Sequence, residues 1–390
     1  MVDRDRKLTR REFMATSGAL GAGAVLASTV GRADAAGDKA MPTRVFGKTG
    51  VEIPILTMGT ALPVTPPLMN AALKEGISYI DTAQSYVGGK SEKMIGNILE
   101  KSGRRKECFI VTKSTDHDVD SFVSNLEGSL ESLKTDVIDL YFLHNLGNPD
   151  RLDAEMMQTA EKLKKSGKIR FFGFSSHHGN MVATLEKAAE VGFVDAVMFK
   201  YNFRDYNNDA LNRAIDKMHE ANIGLMAMKT QGGAVSFADG VDQFKAKGFN
   251  PYQAALKAVW ADERIDGAVS AMKNIKQIKE NAAAARNSAM GFDEQQMLRE
   301  YAAETDHLYC RGCSEQCELA LAAPLQISET LRYRMYYENY GDRRRGRELF
   351  AQLPAEAKRV DGVDFSAAEA ACPHNLPIGQ LMQDAVQKLA

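Results

Sequence analysis

Eight short apolar runs, each followed by a helical stretch, constrain this chain more than any other feature. The runs are Ile55–Gly59, Ile77–Asp81, Cys108–Lys113, Val137–His144, Ile169–Phe174, Val194–Phe199, Ile223–Met228 and Gly267–Ala271. They are near-continuous rather than alternating, which suits parallel strands covered on both faces. Between them lie helical patterns at Met69–Lys74, Glu92–Lys101, Phe122–Leu133, Ala154–Lys165, Met181–Ala189, Ala210–Ala221 and Pro251–Ala261. Several end on a glycine stop, at Gly76, Gly103, Gly167 and Gly192. Eight such units over about 250 residues is the size of a (β/α)8 TIM barrel, an α/β fold with its chemistry at the C-terminal strand ends. A doubly wound sheet is the runner-up, but no G-x-G-x-x-G follows the first strand.

The 390 residues exceed one barrel, and both ends differ from it. At the N-terminus, Thr9-Arg10-Arg11-Glu12-Phe13-Met14 precedes the uncharged small and apolar stretch Ala15 to Val30, then Ala33-Asp34-Ala35. This is the layout of an export signal, and the twin arginine points to the Tat route for folded proteins. Residues 1–35 are therefore expected to be a signal peptide, and the protein to be periplasmic or otherwise exported. No other stretch reaches spanning length, so no membrane span is expected in the mature protein. Forty-nine Lys and Arg against 51 Asp and Glu leave a net charge of −2, giving no footprint for nucleic acid. An apolar share of 44% excludes a disordered chain.

Polar residues gather at three consecutive strand ends. Strand two runs into Asp81-Thr82-Ala83-Gln84-Ser85-Tyr86, strand three ends in Thr112-Lys113, and strand four in Leu143-His144-Asn145. Asp81, Tyr86, Lys113 and His144 would share one mouth, and together they suit proton transfer to a carbonyl oxygen. A phenol near pKa 10 needs a neighbouring cation to act as an acid at neutral pH. Lys113 supplies one, Asp81 would hold it, and His144 would orient the carbonyl. Singly, each has a plain reading as a salt bridge or a satisfied core residue; four at adjacent strand ends is a different matter.

These residues resemble the aldo-keto reductases from Thr43 to about Ala285. The match includes Arg44-Val45-Phe46-Gly47-Lys48-Thr49-Gly50, the Asp81 to Tyr86 frame, Gly89-Lys90-Ser91-Glu92 with Gly96, and Val111-Thr112-Lys113. It continues through Asp139-Leu140-Tyr141 before His144, and Gly167-Lys168-Ile169-Arg170 before Gly173-Phe174-Ser175. The resemblance implies a barrel over 43–290 and hydride transfer between NAD(P)H and a small carbonyl or alcohol substrate. It also implies the tetrad Asp81, Tyr86, Lys113 and His144, with Tyr86 as general acid. For the nucleotide it implies Ser175, Ser176, Asn202, Gln277, Glu280 and Asn281. The chain departs from the family where Met198 replaces a glutamine and Met228 replaces a stacking aromatic. The usual Lys and Arg for a 2′-phosphate fall near Ala271 and Gln277, which leaves NAD against NADP open.

Residues 291–390 carry four of the five cysteines: Cys310-x2-Cys313-x3-Cys317, then Cys372-Pro373. In the bacterial ferredoxin run C-x2-C-x2-C-x3-C-P, the fourth cysteine ligates the other of two clusters. Three cysteines plus a distant Cys-Pro therefore complete one [4Fe–4S] cluster. The complementary set would stand near Leu321 and at Gly362, Phe365 and Ala368, and it is missing. A mainly helical, ferredoxin-like iron–sulfur extension is expected, with a zinc site or two disulfides as alternatives. Its segment from Leu331 to Gly341 looks like the helix of ferredoxin-tailed aldo-keto reductases, and Arg343-Arg344-Arg345 would be a solvated face or a docking patch for a redox partner protein. The competing function is an exported iron–sulfur electron carrier that keeps the barrel only as scaffold. Cys108 reads as core packing.

Overall fold

The computed structural model describes residues 40–232, 250–338 and 341–390. The signal assigned to residues 1–35, and Asn339 and Tyr340 of the tyrosine-rich segment, lie outside them. The chain divides into two compact units. The first takes the chain up to His177, Met181–Gly232 and Tyr252–Gln295; the second is chiefly Gln296–Ala390.

The first unit opens with a small antiparallel hairpin, β1 (Thr43–Val45) and β2 (Glu52–Pro54). Then β3 (Leu56–Gly59), β4 (Tyr79–Asp81), β5 (Phe109–Ser114), β6 (Ile138–Leu143), β7 (Ile169–Ser176), β8 (Ala196–Lys200), β9 (Gly224–Met228) and β10 (Gly267–Ser270) follow. They pair in parallel, each with its sequence neighbour, and β10 closes on β3. Helices alternate with them: α1 (Pro66–Lys74), α2 (Ser91–Ser102), α3 (Val119–Leu133), α4 (Ala154–Lys165), α5 (Met181–Val191), α6 (Asp209–Glu220), α7 (Pro251–Ala261) and α8 (Ile275–Arg286). This is the (β/α)8 barrel that the apolar runs imply. Side chains such as Asp118, Asp153 and Asn208 cap the helix starts by accepting from backbone amides.

One end of the barrel is plugged. Phe46 and Ile53 of the hairpin region are fully buried in one cluster with Tyr79, Phe109, Val111, Leu140, Phe142, Met198 and Met226. Tyr79, Phe109 and Gly224 are the first residues of their strands, so the plug sits at the N-terminal end. A Cβ on Gly224 would meet the Phe46 ring at 2.6 Å, which is why that strand starts with glycine. Since side chains alternate across a strand, the inward files run Tyr79–Asp81 on β4, Phe109–Val111–Lys113 on β5 and Leu140–Phe142 on β6. Polar groups enter these files only at the opposite, C-terminal end.

The second unit is helical. It holds α9 (Phe292–Thr305) from Gln296 onward, α10 (Ser314–Cys317), α11 (Ile327–Glu338), α12 (Arg343–Gln352), α13 (Ser366–Ala371) and α14 (Ile378–Leu389). Its core joins Leu325, Ile327, Leu331, Phe350, Phe365, Ala368, Leu381 and Met382 with Cys317 and Cys372. Phe365 and Ala368 occupy two of the positions where a second cluster's cysteines would stand, and Leu321 packs against the same core. These positions are filled by apolar packing.

Candidate active site and cysteine pocket

Asp81 closes β4 and Lys113 sits one residue before the end of β5. Both side chains are buried and form an ion pair, and Lys113 Nζ also donates to Thr82 O at 2.7 Å. Burial pushes the ammonium down and the carboxyl up; their mutual attraction pulls both back toward the charged forms. Lys113 Nζ lies 4.9 Å from the centre of the Tyr86 ring, so its charge bears on the phenol.

Tyr86 is placed by a tight turn rather than by a strand. Val87, Gly88 and Gly89 have φ of 56°, 61° and 80°. A β-branched residue in this region is strained, at a cost of about 1–3 kcal/mol where the surroundings impose it. The turn folds back so that the amides of Gly89, Lys90 and Ser91 all donate to Tyr86 O, at 3.1 to 3.2 Å. Tyr86 is thereby fixed to the start of α2, and its ring stays half-buried at the mouth.

His144 follows β6 directly instead of ending it, and its amide donates to Ser114 O at 2.8 Å. Its ring meets the Tyr86 ring edge-on, with centres 5.7 Å apart. Burial, then the charges of Lys113, His117 and Lys229, push the imidazole down to about 3. It is neutral at physiological pH, so it is able to donate a hydrogen bond but carries no charge there. The structure thus brings together all four residues expected at the mouth.

The expected nucleotide residues are placed less uniformly. Ser175 and Ser176 lie on β7 rather than after it, and the Ser175 hydroxyl accepts from Asn145 N at 3.1 Å. Asn202 caps a short turn after β8; its Oδ1 accepts from Arg204 N, while its buried Nδ2 has no partner among the described residues. Asn281 donates to Ser270, whose hydroxyl donates to Gln231; Gln231 Nε2 in turn reaches Asn281 Oδ1 and Tyr252 O. Asn281 therefore anchors the turn after β9. Gln277 accepts from Lys273 N, and Glu280 sits beside Lys276 on α8, whose first turn has no acidic residue. Met198 is buried in the inward file of β8 and Met228 ends β9. An orphaned amide donor at the mouth and a lysine-flanked helix start fit an anionic nucleotide with a carboxamide ring.

A polar crevice lined by His117, Asp118, Asp120, Arg151, Asp153 and Glu155 lies on the loops after β5 and β6. It includes no tetrad side chain, and Asp118 and Asp153 there are occupied as helix caps.

In the second unit, Cys310, Cys313, Cys317 and Cys372 line one pocket with Arg311, Ser328, His374 and the apolar Ile327, Leu376 and Ile378. None of these four cysteines forms a disulfide. Burial pushes Cys317 up to about 12, and the nearby Cys310, Glu318, Cys313 and Cys372 add to the shift. Among the described residues no group of three or more His, Cys, Asp or Glu is arranged to hold a metal ion as it stands.

Residues 64–243 match the Aldo/keto reductase family. The chain is 29% identical over 201 residues to an aldo-keto reductase of Gibberella moniliformis, covering 49% of this chain and 59% of that protein. It is 24% identical over 296 residues to the L-galactose dehydrogenase of Arabidopsis thaliana, covering 65% and 91%. An aldo-keto reductase from Klebsiella pneumoniae, solved with NADPH, shares the fold at a TM-score of 0.56 and 24% identity over 67% of this chain and 96% of its own. With the match running from before β4 past the end of β9, the barrel of this chain is similar to the aldo/keto reductase family over most of its strands.

Proposed function

We propose that the protein is an oxidoreductase that interconverts a small carbonyl compound and its alcohol with a nicotinamide nucleotide. The observation that carries this is the buried Lys113–Asp81 pair set 4.9 Å from the Tyr86 ring. When bound, the nucleotide supplies or takes up the hydride. Tyr86 delivers the proton to the carbonyl oxygen as negative charge develops there. Lys113 favours that transfer by stabilising the phenolate left behind, and Asp81 holds Lys113 in place. Neutral His144 donates to the same oxygen and fixes its position. Asn202 Nδ2 is suited to a nicotinamide carboxamide, and Lys273 and Lys276 at the start of α8 to the nucleotide's phosphates. The NADPH of the Klebsiella relative supports a phosphorylated nucleotide here.

Tyr86→Phe tests the assignment. It keeps the ring and removes the proton, and should cost roughly 10²- to 10⁴-fold in turnover with nucleotide affinity unchanged. Lys113→Met should be comparably severe, and the double variant little worse than either, because the pair acts as a unit. Full turnover in Tyr86→Phe would refute Tyr86 as the acid, whereas a wild type with no nucleotide-dependent turnover would favour the barrel as scaffold, which Met198 and Met228 at the nicotinamide positions support.

The second unit is proposed to hold one [4Fe–4S] cluster on Cys310, Cys313, Cys317 and Cys372. Four thiols on one apolar-walled pocket support it. A cluster places its own iron and sulfide between its ligands, so they stand farther apart than around a single ion. Among the described residues no group of three or more His, Cys, Asp or Glu is arranged to hold a metal ion, so the reading rests on the shared pocket and the cysteine spacing. Arg343, Arg345 and Arg347 lie over the faces of Tyr337, Tyr336 and Tyr337, at 5.1 to 5.5 Å, which makes this face suited to an acidic redox partner. The twin arginine at Arg10-Arg11 supports export through the Tat route.

A further inference from the structure

Behind the lysine strand lies a carboxylate that the reaction scheme above does not use. Glu92 is the second residue of α2 and is only 5% exposed. A glutamate in the first turn of a helix ordinarily stays in water, where it favours the helix dipole at no desolvation cost. Glu92 instead faces the barrel wall, where Thr112 Oγ1 donates to its Oε1 at 2.5 Å. Thr112 and Lys113 are consecutive on β5, so the pleat sends one outward to α2 and the other inward to the mouth. The same hydrogen bond ties β5 to the helix that begins at the Tyr86 turn. Beside Glu92, Ser91 is bound to Thr60 and Thr82 at 2.9 Å each, and Thr82 O accepts from Lys113. The start of α2 therefore grips the lysine from both sides of the strand.

We propose that Glu92 is a positioning residue of the active site, a second carboxylate that acts across the β5 wall to keep Lys113 in place and charged behind Tyr86. This rests on the tetrad reading given above. The charged and titratable groups around it are few. Lys113 comes from β5, with Asp81 of β4 paired to it, and the Tyr141 phenol of β6 is pushed up by burial with Glu92 among the contributing charges. From α3 the near neighbour is the uncharged Ser129. Glu92 and Lys113 each feel the other's charge, with no ion pair between them. Asp81 alone neutralises Lys113; the second negative charge offsets the burial that drives the ammonium to lose its proton.

The test is Glu92→Gln, which keeps the shape and the acceptor for Thr112 and removes only the charge. The alkaline limb of the turnover profile should move about one unit to lower pH, with nucleotide affinity unchanged. Independently of turnover, the ¹³Cε signal of Lys113 in labelled protein, assigned by its loss in Lys113→Met, should titrate at correspondingly lower pH. Glu92→Met, likewise uncharged and of similar length, should shift the same signal in the same direction and covers the case of a poorly folded Glu92→Gln. An unmoved Lys113 titration in both variants, with only a lower melting temperature, would reduce Glu92 to a structural staple and overturn the proposal. A wild type that reduces no carbonyl with either nucleotide would count against the tetrad reading, while the Lys113 titration would still decide the role of Glu92.

Discussion

The imidazole of His144 gives a sharp stability test because its sign is fixed. Burial, with lesser contributions from Lys113, His117 and Lys229, holds it at about 3 in the folded protein, against an ordinary 6.5. The folded state therefore refuses a proton that the unfolded chain accepts. Its contribution is intact above pH 6.5 and is lost progressively as pH falls from there toward 3. At pH 5 the unfolded chain is favoured by about 2 kcal/mol through this one group, and at pH 7 by almost nothing. His144→Gln removes the titration and leaves the backbone hydrogen bond from residue 144 to Ser114 O in place. Urea unfolding at pH 7 and pH 5, for wild type and variant, isolates the effect as a double difference. The histidines that do not contact residue 144 are common to both and cancel. The wild type should lose about 2 kcal/mol more than the variant on going from pH 7 to 5. Equal losses would mean that the imidazole is protonated in the folded protein, and the hydrogen-bond role assigned to it would fail as well.

Anaerobically purified protein should be brown, with about four iron and four sulfide per chain, and Cys372→Ser should lose or degrade the chromophore; one zinc and no iron would establish the other metal. Arg10→Lys with Arg11→Lys should leave precursor in the cytoplasm on fractionation, and unchanged export would refute the Tat reading. Gly96→Ala should lower stability by about 1–3 kcal/mol in the same urea assay, because its Cβ would stand 2.4 Å from Ser132 O where α2 crosses α3; a neutral result would mean that the two helices are free to separate.

Much of the barrel was legible because parallel strands covered on both faces need unbroken apolar residues, and all eight runs are strands here. Their ends were less so. Ser175 and Ser176 belong to β7, since polar side chains are admitted to a strand where it reaches the mouth. The β1–β2 hairpin left no run to read, because each strand has three residues and Thr43, Val45 and Glu52 face solvent. Asp81, Lys113 and His144 stood out for a simple reason: each interrupts an inward file that is otherwise apolar. Glu92 did not, because an acidic residue at a helix start looks like ordinary dipole compensation until its burial is known.

The cysteine spacing shows the same limit from the other side. It marks three neighbouring cysteines and one distant one, but spacing alone does not say whether they meet. The second unit answers through its core: Cys317 and Cys372 are both buried in the cluster built on α11, α13 and α14, which brings two loops separated by more than fifty residues to one pocket. That core is continuous because Phe365 and Ala368 are apolar, and cysteines at those positions would need a cofactor of their own to be buried as thiolates. Phe365 and Ala368, where the sequence has no cysteine, are in the fold part of the core in which Cys317 and Cys372 are buried.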